Sequence, residues 1–151
     1  MRTLILAAFI FTISGSIAFA QTTFDKNFTG VQKEQYADGK VKYEVNIVNG
    51  KKHGLETFWY PSGAIYIQTN YVDDKEDGVW KQWYENGQLK LEANYKAGHE
   101  HGSFTQWYES GQMRIQSNFI EGKKEGQETA WFKDGSLKYK SIYIAGQEVK
   151  E

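Results

Sequence analysis

Two histidines, His99 and His101, flank Glu100 in the stretch AGHEHG, and His53 stands at the corresponding place in an earlier stretch. Imidazoles and a carboxylate are the usual ligands of zinc, but a zinc site needs three or four of them converging on one point. Asp77 and Glu125 occupy the same place as His53 and His101 in other stretches. A position that accepts His, Asp or Glu without distinction reads as a solvated loop, so no metal is expected. Ser103 follows His101 closely, yet nothing supplies an oriented third member or an oxyanion hole, as nucleophilic catalysis requires. Glu44 and Glu92 fall beside lysines on a polar face, and a glycosidase-type carboxylate pair needs a cleft that a single sheet does not offer. No catalytic residue, metal ligand or cofactor is assigned, and the expectation is a protein that is not an enzyme.

The elements that must position any functional surface are set by glycine. Gly30, Gly54, Gly78, Gly102 and Gly126 are each 24 residues apart, and so are Gly39, Gly63, Gly87, Gly111 and Gly135. A third series runs Gly50, Gly98, Gly122 and Gly146, with Asp74 filling its one gap. Fixed-period self-similarity is the signature of stacked repeats. It divides the chain into five units, 30–53, 54–77, 78–101, 102–125 and 126–149, after a lead-in over 21–29.

Each unit reads as a β-hairpin about the turn ADG, PSG, ENG, ESG or KDG. Pro61 holds φ near −65°, which excludes a type I′ turn there if all five share one geometry. A type I turn followed by glycine in the left-handed region, a G1 bulge, fits every unit. This turn predicts that Tyr84 pairs with Gln88, Trp83 with Leu89, Gln82 with Lys90 and Lys81 with Leu91. Directly opposed residues share a face. The expected core is therefore Trp59, Trp83, Trp107 and Trp131 backed by Val41, Ile65, Leu89, Met113 and Leu137, closed by Tyr71, Tyr95, Phe119 and Tyr143. Lone hairpins are marginal in water; side by side at about 4.8 Å per strand, ten strands make a twisted sheet roughly 45–50 Å long. The fold class expected is all-β, an elongated single-sheet solenoid of five stacked antiparallel hairpins.

The same register places Tyr36, Tyr60, Tyr84, Tyr108 and Phe132 in one row on the opposite face, with Phe58, Trp80 and Phe104 beside them and Lys90, Arg114 and Lys138 across the hairpin. Such a row staples neighbouring hairpins together, and it also offers the Tyr, Trp and Arg anchors that dominate protein interfaces. The residues expected to contact a partner are Tyr60, Trp80, Tyr84, Phe104, Tyr108, Lys90 and Arg114. The end units depart from the pattern as caps should: Gln35 replaces tryptophan, Ile142 replaces the asparagine of Asn46, Asn70, Asn94 and Asn118, and Lys150 replaces a sixth glycine. The array is expected to end there, with Lys138 and Lys140 guarding its final strand against further pairing, or with that strand pairing to a partner by β-augmentation.

The unit GxWxxWYxNGxLKxExxYxxGxxxG, written from Gly78 to Gly102, resembles the MORN-repeat variant, a family of tandem hairpins. The resemblance covers nearly the whole chain after residue 29. It implies protein–protein contacts and dimerisation, and an interaction with lipid headgroups. Bacterial chains of this kind are often named antitoxin components, which implies an immunity-like pairing with a toxin. The spacing of Trp and Tyr is also similar to choline-binding cell-wall repeats, so the alternative function is a glycan- or cell-wall-binding repeat.

Residues 1–20, MRTLILAAFIFTISGSIAFA, combine a basic start, a short apolar run and small residues at Ala18 and Ala20, the pattern of a cleaved signal peptide. The mature chain is expected to be exported, periplasmic or extracellular, with no stable membrane insertion after cleavage. An exported partner, such as a secreted toxin, follows from that address. Without Arg2 the 18 basic residues fall to 17 against 19 acidic ones, so there is no basic field to hold nucleic acid. There is no cysteine, so stability must come without disulfides. Aromatic side chains, 5 Trp, 10 Tyr and 9 Phe, must supply the buried area.

Overall fold

The computed structural model describes residues 24–149, together with Ile10–Phe11 (β1) and Ile17–Ala18 (β2). Those two strands pair only with each other. The rest of the expected signal peptide and the first three residues of the lead-in lie outside the described residues. The remaining elements are β3 (Gly30–Gln35), β4 (Val41–Val48), β5 (Lys51–Trp59), β6 (Ile65–Val72), β7 (Lys75–Glu76), β8 (Gly78–Trp83) and β9 (Leu89–Lys96). They continue as β10 (His99–Trp107), β11 (Met113–Ile120), β12 (Lys123–Lys124), β13 (Gly126–Trp131), β14 (Leu137–Ile144) and β15 (Gln147–Val149). All thirteen form one open antiparallel sheet in the order β3-β4-β5-β6-β8-β9-β10-β11-β13-β14-β15, with the short β7 paired to β6 and β12 to β11. The protein is an all-β, elongated, single-sheet solenoid of hairpins.

The first kind of turn has the geometry its sequence predicts. In the third unit the Tyr84 N–H donates to the Gln88 carbonyl at 2.8 Å, and the Gly87 N–H donates to the Tyr84 carbonyl at 3.0 Å. Gly87 has φ 84°, in the left-handed region that glycine enters without a Cβ penalty. Asn86 Oδ1 accepts the Gln88 N–H at 2.9 Å, the local bond that suits Asn or Asp to this position. A second turn, which the sequence reading left unassigned, alternates with the first. Asn49-Gly50, Asp73-Asp74, Ala97-Gly98, Glu121-Gly122 and Ala145-Gly146 all have positive φ at both residues, and pairs such as Val48↔Lys51 flank them. Two central residues with positive φ are the requirement of a type I′ hairpin. The protein is therefore a continuous meander in which two turn types alternate.

The register differs from expectation by one residue. Trp83 does pair with Leu89, but Gln82 pairs with Leu91 and Lys81 with Glu92, leaving Lys90 as a bulge. The same shift occurs beside Gln35, Trp59, Trp107 and Trp131. A one-residue slip turns every side chain beyond it to the other face. The expected pairs Gln82–Lys90 and Lys81–Leu91 are thus replaced, and the expected core is corrected. Leu91, Ala93 and Tyr95 share the buried face with Gln82, Trp80 and Gly78, not with Trp83. The tryptophans at 59, 83, 107 and 131 are only half-buried, and Ile65, Met113 and Leu137 in the expected aliphatic row are exposed.

A second irregularity lies near the other end of each hairpin. Glu100 pairs with Tyr95 and Phe104 with Ala93, so His101, Gly102 and Ser103 together oppose Asn94. Asn94 Nδ2 donates to the Ser103 carbonyl at 3.2 Å and to Ser103 Oγ at 2.8 Å, filling the gap in the ladder. Beyond it the type I′ turns stack on one another: the Gly98 N–H donates to the Glu76 carbonyl, Gly122 to Glu100 and Gly146 to Lys124, at 2.8–2.9 Å. The first turn stacks in the same way on the lead-in, through Gly50 N–H to the Phe28 carbonyl. Val45, Ile47 and Tyr43 form the buried apolar cluster under Phe24 and Phe58. Toward the other end the buried side chains become polar, with Ser117 and Glu128 beside Ala130 and Thr129 buried on the opposite face.

Candidate interaction surface

The tyrosine row is a hydrogen-bonded ladder. Tyr36 Oη donates to the Trp59 carbonyl at 2.6 Å, Tyr60 to Trp83 at 2.9 Å, Tyr84 to Trp107 at 3.0 Å and Tyr108 to Trp131 at 2.9 Å. The accepting carbonyl belongs to the residue at which the register shifts, where strand pairing is disrupted. Each hydroxyl therefore satisfies a carbonyl one repeat away and ties consecutive hairpins at their turn ends. Phe132 has no hydroxyl, and with it the ladder stops; the residue is 48% exposed. Burial raises the tendency of Tyr60 and Tyr84 to stay protonated, which preserves them as donors.

Lys90, Arg114 and Lys138 occupy the bulge position, and each cation lies over an aromatic ring of its own hairpin. Lys90 Nζ is 5.4 Å from the Tyr84 ring centre, the Arg114 guanidinium 5.8 Å from Tyr108, and Lys138 Nζ 5.8 Å from Phe132. In the second unit Tyr66 replaces the cation and packs on Tyr60 at 4.7 Å. The structure thus brings Tyr60, Tyr84, Tyr108, Lys90 and Arg114 together at one end of the hairpins. Next to them are the half-buried indoles and the exposed Ile65, Met113 and Leu137.

Trp80 and Phe104 are not in that group. Both pair with Ala93, which is 2% exposed, from its two sides, and Phe104 packs on Phe119 at 5.6 Å. The bulge moves them to the buried face, where they are half-buried. Phe58, expected beside them, also lies on that face and packs against the apolar cluster.

That face carries charges whose grouping the sequence reading missed. Glu56 is 1% exposed, and its carboxylate is bonded to Lys52 and accepts the Tyr43 hydroxyl at 2.9 Å. Three units later Glu128, 3% exposed, is bonded to Lys124 and accepts Ser117 Oγ at 2.6 Å and Tyr139 Oη at 3.0 Å. Desolvation pushes the Glu128 carboxyl up, but its three donors outweigh that and hold it below the usual range. The Tyr139 hydroxyl is pushed up to about 12, by burial and by the carboxylate it serves. Lys52 and Lys124 each lie 4.7 Å from a tyrosine ring, Tyr71 and Tyr143. In the units between, Glu76 and Glu100 replace the lysines, and Trp80 and Phe104 replace the glutamates. Burial raises both carboxyls, with repulsion from Glu56 adding to it at Glu76; Lys52 and Lys124 act against the rise. The signal was in the sequence: the four-residue Lys–Glu spacing of 52/56 recurs at 124/128.

The histidines do not converge. His99 pairs with Lys96 at a type I′ turn, His53 Nδ1 is 3.7 Å from Asp73, and Ser103 Oγ is engaged by Asn94. Among the described residues no group of three or more His, Asp or Glu side chains could hold a metal ion. No described helix is long and apolar enough to cross a membrane.

No curated protein matches the chain. The family model described as the MORN repeat variant matches it four times in tandem, over residues 28–49, 52–73, 76–97 and 100–121. Each match begins at Phe28, Lys52, Glu76 or Glu100, the residue whose carbonyl receives the next type I′ turn. The strands from Lys123 to Val149 repeat the same arrangement once more. MORN repeats are non-catalytic scaffolds for protein and lipid interaction, and this chain, matched over more than half its length, belongs to the MORN repeat variant family.

Proposed function

We propose that this protein is an exported, non-enzymatic scaffold that binds a protein partner through the turn-end surface of its hairpins. One observation carries the reading: the bulge leaves four indoles, Trp59, Trp83, Trp107 and Trp131, partly exposed beside exposed Ile65, Met113 and Leu137. Lys90, Arg114 and Lys138 border this stripe. An apolar centre with a charged rim is the anatomy of a protein interface. The partner that complements it has an apolar ridge flanked by acidic residues. The leader-like residues 1–20 favour a partner met outside the cytoplasm, as in an immunity-type pairing with an exported toxin.

The test is cross-linked pull-down from envelope extract by the mature protein and by a Lys90→Ala/Arg114→Ala variant. The expected result is a partner retained by the former and lost by the latter. Retention by both would place the contact elsewhere. Sedimentation with isolated peptidoglycan in place of a protein partner would favour the glycan-binding alternative.

A further inference from the structure

Four times within the protein, the second strand of a hairpin is covered on its outer side by the first strand of the next. Tyr43 and Glu44 of β4 pair with Phe58 and Thr57, Ile67 and Gln68 of β6 with Gln82 and Lys81, and Ile115 and Gln116 of β11 with Ala130 and Thr129. β9 is covered likewise by β10. The equivalent residues of β14 are Tyr139 and Lys140. Their inner side is paired with Ala130 and Thr129 of β13. On the outer side β15 pairs only with Ile142, Tyr143 and Ile144, so among the described residues Leu137–Ser141 has a free edge.

The polar row that crosses the sheet shows what belongs at that edge. It runs Lys33, Glu44, Thr57, Gln68, Lys81, Glu92, Thr105, Gln116, Thr129 and Lys140 through directly paired positions. Its two other lysines each meet a carboxylate on the adjacent strand, Lys33 with Glu44 at 2.7 Å and Lys81 with Glu92 at 3.1 Å. Lys140 is exposed and makes no ion pair among the described residues. Lys138 lies on the same side of the strand two residues away.

Resting on the reading of the protein as a binder of proteins, we infer that the outer edge of β14 accepts an extended, antiparallel strand of a partner with acidic side chains opposite Lys140 and Lys138. Main-chain bonds hold such a strand and the side chains facing the lysines select it. Two copies of this chain do not suit the edge. Under a two-fold axis a strand paired with itself sets Lys140 against Lys140 or Lys138. Stacked head to tail with the repeat register, Lys140 meets Lys33. Like charges directly opposed are destabilising.

Fluorescence anisotropy with two nine-residue peptides tests this, one alternating valine with glutamate and one alternating valine with lysine. The glutamate peptide binds and slows amide exchange at 137–141, and the lysine peptide does not. Each lysine contact is worth up to roughly fivefold in affinity. Lys138→Glu/Lys140→Glu, both exposed and checked for an unchanged melting curve, reverses the preference. Failure of both peptides, equal binding, or no protection at 137–141 overturns the proposal. So does a homodimer that protects those amides without peptide. Glutamate-peptide binding that survives the charge reversal but is lost in Lys90→Ala/Arg114→Ala overturns the edge while leaving the turn-end surface intact.

Discussion

Replacing Lys52 by Met isolates the energetics of the buried ion pair from those of the fold. The methionine keeps most of the stem's packing but removes the cation, leaving the Glu56 carboxylate 1% exposed with the Tyr43 hydroxyl still donating to it at 2.9 Å. Breaking one side of a buried pair costs about 3–5 kcal/mol, because an uncompensated charge remains in a poorly solvated place. Removing both, as Lys52→Met/Glu56→Leu, is expected to cost less than the single change, since no charge is stranded. The exposed pair Lys33–Glu44, 2.7 Å apart, serves as control: Lys33→Ala costs no more than about 1 kcal/mol. Urea denaturation of the four proteins at pH 7 measures all of this. A loss of under about 1 kcal/mol in the single variant would refute the view that this face excludes water around Glu56.

Tyr84→Phe removes one rung of the ladder and leaves the Trp107 carbonyl without its donor. It should cost about 1–2 kcal/mol in chemical denaturation, whereas Phe132→Tyr, at the end of the ladder, should change stability by no more than roughly 0.5 kcal/mol. Ala97 has φ 52° in a type I′ turn, a conformation unfavourable for a side chain other than Gly or Asn. Ala97→Asn, the residue used at Asn49, should raise stability by roughly 0.5–1 kcal/mol, read from the urea midpoint. Glu76 is raised by burial and by Glu56, so its ionised form opposes folding. Glu76→Gln should increase the melting temperature at pH 7, with the advantage fading as pH falls below the ordinary glutamate pKa. Glu128 has the opposite sign: its folded pKa is lowered, so its contribution is full above the unfolded pKa and is lost as pH falls through the folded one. Glu128→Gln should therefore lower the melting temperature at pH 7, and the deficit should shrink in acid.

The period, the all-β class and the first turn are local properties, and residues within a few positions of one another determine them. Glycine at every twenty-fourth place marks where φ must be positive, and Pro61 rules out one turn type by the ring it carries. Asn49-Gly50 announces a type I′ turn just as directly, although Ala97 and Glu121 in the same position obscure it. What the alternation of Leu89, Leu91, Ala93 and Tyr95 does not contain is the identity of the residue across the ladder. A bulge at Lys90 changes that partner without altering the alternation within the strand. Only the assembled sheet decides it, because the bulge is settled by the balance of the whole pairing: Trp80 and Phe104 beside Ala93, Glu56 beside Lys52, and each tyrosine hydroxyl on a tryptophan carbonyl one unit away. For the same reason the exposed indoles, the buried carboxylates and the open edge at Lys140 belong to the tertiary structure, while the repeat that builds them can be read from the chain alone.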